Sequence, residues 1–142
     1  MEETRTDDSF PGFANPVVPT AEEIRDWAMD PTAPAPDGRQ WDLLLAEDEL
    51  ISTWLELAAN HRCPKRSFAL HVLYIYASSA VRTRYRIHSE KRLEKLLEKA
   101  EESGDEYVGL WRTNTRRLMA KPKLFNYNDW CNGGLVYRPR QI

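Results

Sequence analysis

The chain has few of the residues on which cofactor chemistry and membrane insertion depend. Only two cysteines, Cys63 and Cys131, and three histidines, His61, His71 and His88, occur in 142 residues. Two lone cysteines build no disulfide framework and suit a reducing compartment. A zinc site would have to be gathered from these five side chains; His61-Arg62-Cys63 offers two at close spacing and no second pair matches it, so neither a metal nor a cofactor is expected. Six glycines leave no Gly-rich phosphate loop, since Asn132-Gly133-Gly134 follows aromatics instead of opening a helix. No nucleophile stands beside a base in the sequence and no carboxylate pair is legible, which leaves catalytic residues unassigned. The longest apolar run, Phe68 to Val81, is interrupted by His71 and two serines and is too short to span a bilayer. Met1 to Asp8 is polar and acidic, unlike a secretory leader, so a soluble cytoplasmic protein is expected.

What the chain does have is charge, unevenly laid out. Residues 1–60 carry fourteen Asp/Glu against three Lys/Arg, a formal net of −11, while residues 61–142 carry seventeen Lys/Arg against eight Asp/Glu, a net of +9. The overall −2 conceals this. Either the halves neutralise each other within the folded molecule or each presents a field outward. A 42% hydrophobic content with five tryptophans is enough for a real core, which argues against wholesale disorder.

Periodicity predicts an all-α fold, a small irregular bundle of about five helices built from two successive antiparallel helical hairpins. An extended arm (1–19) precedes one helical domain (20–142), which contains a Pro-rich linker (30–38) and ends in an aromatic tail. Thr20 and Glu23 form a capping box that starts a first helix over 21–29. Trp41, Leu44, Leu45, Ile51, Trp54, Leu55 and Ala58 recur at spacings of three and four, predicting a helix over 41–59 that Glu47-Asp48-Glu49 can break near 47. Residues 64–82 are apolar on nearly every face, which marks a buried central helix. Ser89 caps a fourth helix that Gly104 ends, and Asp105 caps a fifth over about 105–120 that Pro122 stops.

The cations are the strongest functional candidates. Arg82, Arg84 and Arg86 surround Tyr85, Lys91 and Arg92 lie in the first turn of the fourth helix, and Arg112, Arg116 and Arg117 lie on the fifth. An antiparallel hairpin of the last two helices gathers most of them at one end. Helices favour anions at the N-terminus and cations at the C-terminus. The fourth helix does the reverse, with Lys91 and Arg92 at its start and Glu101 and Glu102 at its end, so something outside it must compensate. The expected role is binding of a protein partner by complementary charge, through Arg82, Arg84, Tyr85, Arg86, Arg112, Arg116 and Arg117 or through an acidic face of Asp42, Glu47, Asp48 and Glu49. Nucleic-acid binding by the same cations is the alternative. A small enzyme with a pocket near His71, using Tyr74 and a carboxylate of the second helix, is the third. Cys63, next to Pro64 in a helix-start turn, reads first as structural, although a helix N-terminus with Lys65 and Arg66 nearby would lower its pKa and allow modest thiol reactivity.

Overall fold

The computed structural model describes residues 20–32 and 46–125. The expected arm (1–19), most of the linker and the aromatic tail beyond Phe125 lie outside the described residues. Five α-helices and no strand occur among those described: α1 (Ala21–Met29), α2 (Ile51–Ala58), α3 (Arg66–Arg82), α4 (Glu90–Ser103) and α5 (Glu106–Ala120), followed by one turn of 3-10 helix at Pro122–Leu124. The protein is a small all-α bundle.

Local chemistry accounts for most helix ends. Thr20 Oγ1 accepts from the Glu23 N–H while Glu23 Oε1 accepts from the Thr20 N–H, the reciprocal capping box of α1. Ser89 Oγ accepts from the Arg92 N–H at the start of α4, and Asp105 Oδ2 accepts from the Tyr107 and Val108 N–H groups at the start of α5. Gly104 closes α4 at φ +68°, a conformation costly to any residue with a Cβ. α2 takes the broken form that the acidic run allows. The described part of the predicted 41–59 helix holds a turn through Leu50 and then a helix from Ile51, with Leu50 as an N-cap that offers no side-chain acceptor. The break falls at the acidic run, where Asp48 is drawn into contacts with Tyr76 of α3 and Arg92 of α4.

α3 is the centre. Eleven of its residues are buried, on all sides of the helix. Contacts rise along α3 as they fall along the segment before it: Arg66 Nε donates to the Ala58 carbonyl, Phe68 meets Trp54 edge-on at 5.5 Å, and Tyr76 reaches Asp48. α2 and α3 therefore run antiparallel. α4 and α5 do likewise, since Glu94 pairs with Arg116 and Glu101 with Arg112. α3 and α5, by contrast, run parallel at an offset of 39–40 residues, because Arg66 meets Asp105 and Tyr74 meets Asn114. α1 is pinned by an aromatic trio, with Trp27 5.5 Å from Phe68 and 6.4 Å from Trp54. It has no basic residue in its own last turn, and the buried Lys65 supplies the missing cation by donating from Nζ to the Trp27 and Asp30 carbonyls.

The most concentrated polar junction joins α3 to α5. The Asp105 side chain, 2% exposed, caps α5 with one oxygen and receives the Arg66 guanidinium and His61 Nε2 on the other. Arg66 also lies over the Tyr107 ring at 5.2 Å. Removing one member of a buried pair strands the other's charge, at about 3 kcal/mol or more, and the lost cap adds about 1 kcal/mol. Asp105→Ala should accordingly lower the urea midpoint by an amount equivalent to at least about 3 kcal/mol. A shift worth less than about 1 kcal/mol would show that this junction does not hold the helices together.

Candidate functional site

α3 ends in an unusual way. Thr83 caps it, and its hydroxyl donates back to the Ser79 carbonyl at 2.8 Å. The Arg84 N–H then donates to the Val81 carbonyl and the Tyr85 N–H to the Ala80 carbonyl, the paired bonds of a Schellman closure. That closure needs a left-handed residue, ordinarily glycine. Here Arg84 occupies it at φ +56°, and Tyr85 follows at φ +64°. Each left-handed non-glycine residue costs roughly 1–2 kcal/mol, so the chain carries strain at the centre of its arginine cluster. Tyr85 offsets part of that cost by packing half-buried against the core. Burial, then the nearby Glu90 and Glu94, push its hydroxyl pKa up, so it stays neutral.

The turn sorts its neighbours by direction. Arg82, Arg84 and Arg86 are exposed. Arg82 lies over the Phe125 ring at 4.6 Å, whereas Arg84 and Arg86 enter no ion pair among the described residues. Ile87 follows with 59% of its surface exposed, the more exposed of the two large hydrophobics that face solvent among the described residues. His88 then turns inward and is 6% exposed.

His88 is held by Asp48, forty residues earlier in the chain. Asp48 Oδ1 lies 2.9 Å from His88 Nδ1, accepts from the Tyr76 hydroxyl at 2.7 Å and sits 3.6 Å from Arg92 Nε. The His88 ring lies 4.1 Å from that of Tyr76. Burial alone would push the Asp48 carboxyl up, but the hydrogen bonds from Tyr76 and His88 and the charges of His88 and Arg92 outweigh it and hold its pKa below the usual carboxylate value. Burial and the adjacent Asp48 push the Tyr76 hydroxyl far up, so it remains a donor. One carboxylate thus fixes the far side of the turn to α3, α4 and the segment before α2.

The remaining candidates divide. Arg116 pairs with Glu94 at 2.8 Å and Arg112 with Glu101 at 3.3 Å, so both bind their hairpin partner α4. Arg117 is exposed and enters no ion pair among the described residues. Glu47 and Glu49 flank the half-buried Asp48, and Asp42 lies outside the described residues. The reversed charge order of α4 finds its compensation here: Asp48 faces Arg92 at the start, and Arg112 faces Glu101 at the end. His88, Tyr76 and the Arg66–Asp105 pair are the polar contacts that sequence reasoning passed over.

Tyr74 accepts from Asn114 Nδ2, and of the carboxylates in the expected second helix Glu56 pairs with Arg25 of α1 while Asp48 faces Tyr76, His88 and Arg92. The expectation of a lowered Cys63 pKa is corrected. Burial pushes the thiol up and outweighs the backbone hydrogen bond and the charges of Lys65 and Arg66. Among the described residues no three His, Cys, Asp or Glu side chains gather as metal ligands, and no helix there is long and apolar enough to cross a membrane. No protein-family model, curated protein or solved structure matches the chain.

Backbone strain and the Asp48 contact can each be measured. Arg84→Gly should stabilise the protein by about 1 kcal/mol, whereas Gly104→Ala, whose new Cβ would meet no atom within 4 Å, should destabilise it by about the same amount through backbone strain alone. Equal denaturant midpoints for wild type and Arg84→Gly would show that the turn is unstrained. Because the folded Asp48 pKa is depressed, its stabilisation is complete above the unfolded value of about 3.9 and is lost as pH falls through the folded value. Asp48→Asn should be less stable than wild type at pH 7, with the difference shrinking from about pH 4 downward; a difference that held constant into acid would contradict the assignment.

Proposed function

We propose that this chain is a binding protein whose cationic turn, Arg82 to Ile87, docks onto an acidic surface of a protein partner. The observation that carries this reading is the pair of consecutive left-handed residues, Arg84 and Tyr85, which hold Arg84 and Arg86 outside any described ion pair while the turn remains anchored through His88. A glycine would close α3 at lower cost, which supports a use for Arg84 beyond ending the helix. Preorganisation matters for affinity, because a turn already fixed loses little conformational entropy on binding.

Ile87 favours protein over nucleic acid as the partner. A polyanion needs only the guanidinium groups, whereas an exposed apolar side chain flanked by cations suits an apolar pocket rimmed by carboxylates. Arg92, Arg112 and Arg116 contribute less, since each already faces a carboxylate of this chain.

The test uses three probes: a displayed peptide library selected on the protein, heparin, and a single-stranded oligonucleotide. Selected peptides should combine Asp or Glu with a large apolar residue. Arg84→Ala/Arg86→Ala should weaken them at least about tenfold, and Ile87→Ser should weaken the peptides by about tenfold while leaving heparin retention unchanged. Tight oligonucleotide binding that falls steeply with salt and ignores Ile87→Ser would replace this reading with the polyanion one.

A further inference from the structure

We propose that Ser89 is a phosphorylation site for an arginine-directed serine/threonine protein kinase. Arg84-Tyr85-Arg86-Ile87-His88-Ser89 places arginines five and three residues before a serine. Both arginines are exposed and enter no ion pair among the described residues, and Ser89 is exposed as well. Kinases that select substrates by charge hold such arginines in acidic subsites, so the substrate's arginines must be available. Arg112 precedes Thr115 by three residues as well, but Thr115 is fully buried and Arg112 is committed to Glu101, which leaves Ser89 as the accessible acceptor.

In the transfer, the bond between the γ-phosphorus of a nucleoside triphosphate and its bridging oxygen breaks and a bond from that phosphorus to Ser89 Oγ forms. The hydroxyl proton passes to the kinase's catalytic carboxylate, and the nucleoside diphosphate leaves. The product lands at the start of α4, beside Glu90 and Lys91 and close in sequence to Arg86 and to Arg92, the last of which already faces Asp48. Ser89 is the N-cap of α4, a helix of 14 residues, and Lys91 and Arg92 stand in its first turn, where cations oppose the helix dipole. A phosphate at the cap reverses that opposition: its oxygens can take over from Ser89 Oγ as acceptors of the Arg92 N–H, and Arg86, Lys91 and Arg92 surround it in sequence.

Access is governed by the Asp48 contact. A kinase cleft takes an extended segment, whereas Arg84 and Tyr85 are left-handed and His88 is buried against Tyr76. Releasing His88 from Asp48 frees residues 84–89 to extend, so the Asp48–His88 pair sets how often the site is offered. Phosphorylation also places an anion among the cations assigned to the acidic partner and should switch that contact off, a consequence that rests on the function proposed above.

The experiment incubates the full chain with magnesium, ATP and a kinase selective for arginine at the −3 and −5 positions, then maps phosphate by mass spectrometry. Wild type should carry phosphate on Ser89 and Ser89→Ala should lose it. Arg84→Ala/Arg86→Ala should slow incorporation at least tenfold, and Asp48→Asn should speed it several-fold. The phosphorylated protein should melt about 1–4 °C higher than the unmodified one. No phosphate on Ser89 in either wild type or Asp48→Asn, or an unchanged rate in the arginine double variant, would overturn the assignment. Phosphorylated protein that still binds acidic peptides as tightly as before would support the site and overturn only the placement of the partner on this turn.

Discussion

A seventeen-residue helix with no polar face cannot stand in water, and the need to cover α3 on every side places the other helices. α2 returns along one flank, α5 lies parallel along another, and α4 and α1 fill in behind them through their own apolar stripes. Residues such as Leu70, Leu73, Tyr74 and Tyr76 are each buried to within 1% of completely, which at roughly 25 cal/mol per Å² of apolar surface makes this helix a large contributor to stability. Several polar groups on α3 answer to specific partners: Arg66 to Asp105, Tyr74 to Asn114, Tyr76 to Asp48. The apolar surface drives association and those three contacts set the register.

The opposed halves of the charge distribution meet, but not uniformly. Asp48, from the acidic half, crosses to His88 and Arg92 in the basic half, and Glu56 reaches Arg25 within the acidic one. Other ion pairs are internal to the basic half, where Glu94 and Glu101 occupy Arg116 and Arg112. Exposed pairs of this kind contribute little to stability individually. Their larger effect is subtractive, because they withdraw cations from the surface and leave Arg84 and Arg86 as the arginines of the cluster's centre that face outward.

How much of this is legible in the sequence follows from the range of the interactions. The caps at Thr20, Ser89 and Asp105 and the left-handed Gly104 depend on residues within three or four positions, and each can be named from the order of residues alone. The buried central helix is equally plain, since its apolar run has no polar stripe. The start of α2 is not, because Leu50 offers no capping side chain and the periodicity of Trp41, Leu44 and Leu45 continues the pattern upstream. Partners 39 or 40 residues apart, Arg66 with Asp105 and Asp48 with His88, leave no local trace at all. For Cys63 the sequence shows the neighbouring cations but not the burial that outweighs them. The left-handed turn is hidden for a different reason: nothing in an Arg-Tyr pair announces a conformation that glycine usually supplies.

The parallel pairing of α3 with α5 has a bearing on how the protein is made. Chains leave the ribosome at about 5–20 residues per second, so the 39–40 residues separating the two helices correspond to an interval of roughly two to eight seconds. Through that interval the flank of α3 destined for α5 lacks its α5 cover, although α2, already synthesised, can close on the opposite flank. The nascent protein thus passes through a half-clad stage with a long apolar surface open to solvent. A holding chaperone would find its best footing there, and synthesis slowed between Ser89 and Asn114 would lengthen the exposure.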